Sequence, residues 1–278
     1  MSAATYLDEI LAAHRSAAAA DRRDVDALVV EAGRCGPPRG FSAALRGSEG
    51  LAVIAEIKRR SPSRGDLDPG LDPAVVARDY EAGGAACLSV LSDAQFFGGS
   101  ADDVARAAGA CGLPVLRKDF TVAEADVADA RLMGADAVLL IVAALSDAEL
   151  GHLVELAGTI GLDALVEAHD ENEVERALGA GAELIGVNQR DLTTFAVDVD
   201  RALRVIRSIP AEVTSVAESG IRDGDDARRL AEAGYQAILV GESLMRAGDR
   251  RAALGGLVGH PVGRSPVRPV ANRQGAGS

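Results

Sequence analysis

The chain contains no tryptophan, and aromatic residues fill only 3% of its 278 positions. A core of any size must therefore be built from Ala, Val, Leu and Ile. Cysteine is scarce. Cys35, Cys87 and Cys111 stand apart, with no paired spacing. Such usage offers no disulfide scaffold and no cysteine zinc framework, and it fits a reducing cytoplasm. The four histidines, His14, His152, His169 and His260, are equally isolated, so no metal site is expected. The longest apolar run, Ala137 to Leu145, is far shorter than the roughly 20 residues of a membrane span. Asp8 and Glu9 interrupt the region where a signal peptide would need an apolar segment. Basic residues are also in deficit, with 29 Lys and Arg against 42 Asp and Glu, a net charge of −13. That argues against a nucleic-acid binder, which needs a basic face for the phosphates. It leaves room for a small anionic ligand, held by a local cluster of cations and backbone N–H groups.

Hydrophobic residues make up 48% and charged residues 26%, a globular balance with material for a large core. One pattern recurs along the chain. Gly83-Gly84, Gly134, Gly181 and Gly234 each precede a few small or polar residues and then a short apolar run. A glycine there suits the left-handed residue that stops a helix. The apolar run suits a strand buried on both faces. Four further strand candidates lie between these: Ala52–Ile57, Pro114–Lys118, Asp163–Ala168 and Thr214–Glu218. Each is followed by an amphipathic stretch. Eight alternating strand–helix units predict an α/β fold, a closed (β/α)8 TIM barrel. No GxGxxG follows the first strand, which weakens a dinucleotide-binding alternative. Residues 1–47 read as an N-terminal helical extension and 48–258 as the barrel. Residues 259–278, rich in Pro, Gly and Arg, read as a disordered tail.

Barrel active sites lie at the C-terminal strand ends. The odd-numbered strands deliver Glu56, Lys58, Lys118, Glu167 and Glu218 to that rim, where a buried strand would otherwise be apolar. Glu56 and Lys58 are two apart and share a face. Two lysines and three glutamates in one mouth shift one another's pKa values and supply acids and bases without a cofactor. The competing reading is a set of rim salt bridges. Ser219-Gly220 after strand 7 and Gly241-Glu242-Ser243 after strand 8 suit a phosphate, with Lys58 near enough to add charge. Their competing reading is ordinary turns. Phe96 and Phe97, in Phe96-Phe97-Gly98-Gly99-Ser100, are candidate walls for an aromatic ligand; packing on the barrel is an equal alternative for Phe96 and a weaker one for Phe97. His152 is expected at the surface. His169, just past Glu167, is given no role.

Seven blocks of the sequence resemble the indole-3-glycerol phosphate synthases. They are Ile54 to Ser63, Phe97 to Ser100, Leu116 to Phe120, Leu165 to Glu167, Gly186 to Leu192, Ala217 to Ile221 and Val240 to Arg246. The resemblance implies a carboxy-lyase of tryptophan biosynthesis. Its substrate would be 1-(2-carboxyphenylamino)-1-deoxyribulose 5-phosphate, closed to indole-3-glycerol phosphate with loss of CO2 and water. It implies no metal and no organic cofactor, no nucleic-acid or membrane partner, and a cytoplasmic monomer or weak homo-oligomer. By the same resemblance Lys118 is the general acid for ring closure. Glu167, Lys58 and Glu56 share the proton transfers of dehydration. Asn188 and Glu218 hydrogen-bond sugar hydroxyls or position the lysines. Arg190 orients the site or meets the substrate carboxylate. Phe97 holds the anthranilate ring, and Ser61 lies on the substrate-binding rim. Ser219, Gly220, Gly241 and Glu242 bind phosphate with Lys58. Two positions depart from the family pattern: Gln189, often Asn, and Gly98, often a larger polar residue. A phosphoribosylanthranilate isomerase-like barrel would share the phosphate loops, but it would use a Cys and an Asp at strands 1 and 6. A catalytically silent phosphate-binding barrel would have no need of Lys118 with Glu167.

Overall fold

The computed structural model describes residues 5–61, 65–191 and 196–263. Pro62, Ser63 and Leu192 of the resemblance blocks, and residues 264–278 of the expected tail, lie outside them. The eight expected strands form, and they close on themselves. They are β1 (Ala52–Ile57), β2 (Cys87–Leu91), β3 (Val115–Lys118), β4 (Ala137–Ile141), β5 (Asp163–Ala168), β6 (Leu184–Asn188), β7 (Thr214–Glu218) and β8 (Ala237–Val240). Every pairing around the ring is parallel, and Ala52 opposite Ala237 closes it. This is the (β/α)8 barrel that the alternation predicts. The strands are short and nearly continuous in apolar residues because helices cover one face and the barrel interior the other. The recurring glycines do the work expected of them: Gly84, Gly134, Gly181 and Gly234 all have positive φ and reverse the chain before a strand.

The extension has three helices, α1 (Tyr6–Ala20), α2 (Val25–Gly33) and α3 (Phe41–Arg46). They run from one end of the barrel to the other. At the N-terminal end of the strands, α3 buries Phe41 and Leu45. The Ser42 N–H donates to Asp163 at the start of β5 (2.9 Å), and Arg39 grips Asp136 just before β4 (2.8 Å). At the opposite end, α1 brings His14 to Asp93, which follows β2 (3.0 Å). Thr5 caps α1 in a reciprocal pairing with Asp8.

Residues 259–263, which the sequence reading assigns to the tail, lie against the barrel. The Leu51 N–H donates to the His260 carbonyl, and the Gly263 N–H to that of Ala231, each at 2.8 Å. Backbone hydrogen bonding, which carries no compositional signature, holds this stretch.

Candidate active site

The C-terminal strand ends surround a cavity of about 450 Å³, a size suited to a small ligand. Every residue proposed from the sequence lines it. Glu56, Lys58, Lys118, Glu167 and Glu218 come from the odd strands, Asn188 and Arg190 from the end of β6 and beyond. Ser61, Phe97, Ser219, Gly220, Gly241 and Glu242 complete the set.

Two clusters of charge occupy the floor. In the first, Lys58 is ion-paired with Glu56, as their shared strand face requires. In the second, Lys118 Nζ lies 2.7 Å from Glu167 Oε2 and 3.4 Å from Glu218 Oε2. Asn188 Nδ2 donates to the other Glu167 oxygen (3.0 Å), and its own Oδ1 accepts from the Arg190 N–H (3.0 Å). The register explains the convergence. Glu167 sits beside Gly186 and Asn188 beside Glu218 on neighbouring strands.

These carboxylates titrate in opposite directions. Burial pushes the Glu167 carboxyl up, but Lys118, His169 and Asn188 outweigh it and hold the group well below its usual range. Burial also drives Glu218, and here Glu167 and Glu56 add to it. Lys118 offsets this only in part, and the pKa rises to about 8. For Lys118 itself, burial disfavours the ammonium, yet Glu167, Glu218 and Glu56 together raise its pKa. A firm cation thus sits between a firm anion and a carboxyl able to hold a proton near neutrality.

Two glycines make room for these groups. A Cβ on Gly186 would lie 2.1 Å from Glu218 Oε1, and one on Gly241 would lie 2.2 Å from Glu56 Oε1. Gly241, expected at the phosphate rim, makes room for the Glu56 carboxylate on the floor.

The upper walls divide by chemistry. Leu91, Leu139, Ile141, Phe97 and Phe120 form an apolar side, and the Phe97 and Phe120 rings sit 6.2 Å apart. Phe96 turns away and meets Tyr6 of α1 edge-on at 5.8 Å. The opposite rim carries Ser219 and Gly220 in successive left-handed conformations, with φ of 65° and 74°. For a serine that geometry costs of order 1 kcal/mol and is typical of functional turns. Gln189, one of the two family departures, donates its side-chain N–H to the Ser219 carbonyl (2.7 Å) and braces that turn.

Sequence reading missed several contributors. Arg222 and Arg246 line the cavity beside the glycine turns. Their signal was weak: single arginines past the motif glycines in a chain rich in surface arginine. Asp119, next to Lys118, accepts from Ser92 and from Arg117 (2.9 Å). His14, Asp93 and Asp119 offer ligand atoms within 4.8 Å of one another, the one such grouping among the described residues. Those groups are already engaged: His14 Nε2 with Asp93, Asp119 Oδ1 with the Phe120 N–H and Asp119 Oδ2 with Arg117. His14 Nε2 also pairs with Asp119 at 3.8 Å. His152 is at the surface, as expected, paired with Glu124.

Comparison with known proteins places the chain in a family. The family model described as "Indole-3-glycerol phosphate synthase" matches residues 7–257. The "Indole-3-glycerol phosphate synthase 2" of Streptomyces coelicolor is 52% identical over 235 residues, 84% of this chain and 91% of the relative. The indole-3-glycerol phosphate synthase of Mycobacterium ulcerans is 46% identical over 273 residues, 96% of this chain and all of the relative (100%). That of Desulfotalea psychrophila is 45% identical over 245 residues, 87% and 94% of the two chains. Among solved structures, a thiamine phosphate pyrophosphorylase from Pyrococcus furiosus superposes with a TM-score of 0.57 at 20% identity, over 77% of this chain and 95% of that one, a likeness of fold alone. Matched over most of its length and sharing about half of its residues with members over nearly all of theirs, the chain belongs to the indole-3-glycerol phosphate synthase family.

Proposed function

We propose that this cavity closes the pyrrole ring of 1-(2-carboxyphenylamino)-1-deoxyribulose 5-phosphate, releasing CO2 and water to give indole-3-glycerol phosphate. The observation that carries the reading is Lys118, a largely buried ammonium at the end of β3 held 2.7 Å from Glu167 on the cavity floor. Ring closure places a bond between the carboxylate-bearing ring carbon and the ribulose carbonyl carbon. Negative charge develops on the carbonyl oxygen, and Lys118 donates a proton to it. Loss of CO2 then returns the bonding electrons to the ring. Dehydration expels the hydroxyl as water and removes a ring proton. Lys58, Glu56 and Glu167 are within the same cavity to supply the acid and the base.

The apolar side, with Phe97 and Phe120, suits the anthranilate ring. The opposite rim suits the phosphate: backbone N–H groups of Ser219, Gly220, Gly241 and Glu242, with Ser61, Lys58, Arg222 and Arg246 nearby. Arg190, 3.8 Å from Glu242, orients the site or meets the substrate carboxylate in this reading. Asn188 and Glu218 hold the floor in register. Three free thiols support a cytoplasmic setting. No helix among the described residues is long and apolar enough to cross a membrane. The reading includes no nucleic-acid partner, no cofactor and a monomer or weak homo-oligomer.

The test is a fluorescence assay with purified protein and that substrate, following the indole product. A rise in indole emission that Lys118→Ala abolishes is the expected result. Bound substrate with no emission from the wild-type protein would leave a silent phosphate-binding barrel instead.

A further inference from the structure

His169 follows β5, two residues beyond Glu167, and the reading above gives it no part. Its ring stands between two carboxylates. Nδ1 lies 3.0 Å from Glu173 Oε2, and that oxygen also accepts the His169 backbone N–H at 2.7 Å. Nε2 lies 3.8 Å from Glu167 Oε1. It is buried and has no hydrogen-bond partner among the described residues. His169 does not line the cavity; it stands behind the floor.

The tautomer question decides what such a ring does. Nδ1 faces a carboxylate and therefore carries a proton. A neutral ring would then turn the bare lone pair of Nε2 toward Glu167 Oε1. Two acceptors would face each other in a buried site, which is unfavourable. The doubly protonated ring removes that conflict, because both N–H groups then face an anion.

We propose that His169 is a positioning residue for Glu167, an imidazolium clamped by Glu173 that fixes the Glu167 carboxylate from behind. This rests on the function proposed above. Glu167 Oε1 is then held by Asn188 in front and by the His169 charge behind, which leaves Oε2 to Lys118. His169 would keep Glu167 ionised and the Glu167–Lys118 pair in place while the substrate turns over. The charged groups around the ring are Glu167 on β5, Glu173 on the helix Glu171–Gly179 and Arg201 on the helix Arg201–Val205. Burial and Arg201 work against the charged ring. The two carboxylates outweigh them and raise its pKa.

The coupling must be reciprocal, since each charge stabilises the other to the same extent. The first test is therefore independent of turnover. The His169 imidazole is titrated by nitrogen NMR in the full-length protein, with His169→Gln identifying its signal. Glu167→Gln is expected to lower the His169 pKa by about one unit, the usual effect of losing an opposite charge at this range. An unchanged His169 pKa overturns the proposal. The second test is kinetic. His169→Gln keeps a polar side chain of similar reach but cannot carry the charge. It is expected to move the acid limb of the kcat profile up by about one pH unit and to lower kcat with little change in KM. An unmoved limb with wild-type kcat overturns the proposal too. Lys118→Ala runs alongside. If that variant keeps its turnover, the functional reading itself has failed, and with it the reaction that His169 serves. If it is dead while His169 ignores Glu167→Gln, only the present proposal has failed.

Discussion

Gly186→Ala separates catalysis from stability at this site. Gly186 lies in the middle of β6, and its missing side chain is occupied by the carboxylate of Glu218. An added Cβ would lie 2.1 Å from Glu218 Oε1, 3.2 Å from its Cδ and 3.3 Å from Leu165 Cδ1. Only the carboxylate oxygen is in hard collision, and it is the far end of a side chain that borders an open cavity. To regain ordinary contact that oxygen must retreat by about 1 Å or more. The carboxylate moves as a unit, so the retreat of Oε1 also displaces Oε2 from its 3.4 Å pairing with Lys118. Misplacing a group that positions the reacting atoms by about 1 Å costs on the order of 10²-fold in rate, or roughly 2.7 kcal/mol of barrier. The stability cost is smaller. Overpacking costs about 1–3 kcal/mol, and the loss of glycine's unfolded-state freedom returns about 0.4–1 kcal/mol. The expected result is a folded protein with a modestly lower urea midpoint, a KM near wild type and a kcat about 10²-fold lower. Glu218→Ala supplies the control. If the new methyl acts through Glu218, the double variant is no slower than Glu218→Ala alone. A Gly186→Ala enzyme with wild-type kcat would refute the steric argument. A double variant much slower than Glu218→Ala would show that the methyl acts elsewhere.

Lys118→Ala should lower kcat by several orders of magnitude while the substrate still binds, because the ring and phosphate walls are untouched; equilibrium binding beside turnover checks it. Turnover should survive exhaustive treatment with EDTA, since the floor supplies its own cation in Lys118. Activity lost to EDTA and restored by a divalent ion would contradict that. The contact of α1 with the barrel should be pH-dependent through His14. Its hydrogen bond to Asp93 raises the imidazole pKa above 6.5, so folding binds that proton more tightly. The stabilisation is full below 6.5 and fades as the pH climbs through the raised value. Urea unfolding of wild type and His14→Gln should therefore differ by about 1–2 kcal/mol at pH 6 and converge toward pH 9. A gap that is constant with pH would assign the stability to packing instead.

The barrel was legible because of what burial does to its strands. A parallel strand covered on both faces reads as an apolar run, so Lys118 or Glu167 at its end stands out without any alignment. The glycine that reverses each helix before the next strand repeats for the same physical reason, and it marks the period. What stayed hidden depended on distance through the chain. His14 meets Asp93 across 79 positions, and nothing near either residue announces the other. Gly186 was legible as part of a strand, but its reason is a carboxylate reaching across from β7. Composition misled at 259–263, where backbone donors tie a stretch that looks like a tail to Leu51 and Ala231. His169 was noticed beside Glu167. Its meaning lies in Glu173, one helical turn on, and in the direction in which each ring nitrogen points.

The cost of the floor argues for its use. Glu56, Glu167 and Glu218 are all buried, and Lys58 and Lys118 are nearly so. Buried ion pairs seldom stabilise a fold more than apolar side chains of the same volume would. A barrel otherwise packed with Ala, Val, Leu and Ile had that cheaper solution available at every one of these positions. Instead it holds five ionisable groups together and opens two glycines to fit their oxygens. It also keeps one carboxylate strongly acidic while its neighbour across the same lysine can hold a proton near neutrality. Neighbouring carboxyls driven apart in this way are what acid–base chemistry near pH 7 requires. The strained Ser219 turn points the same way, since a strained backbone is retained where a ligand makes use of it.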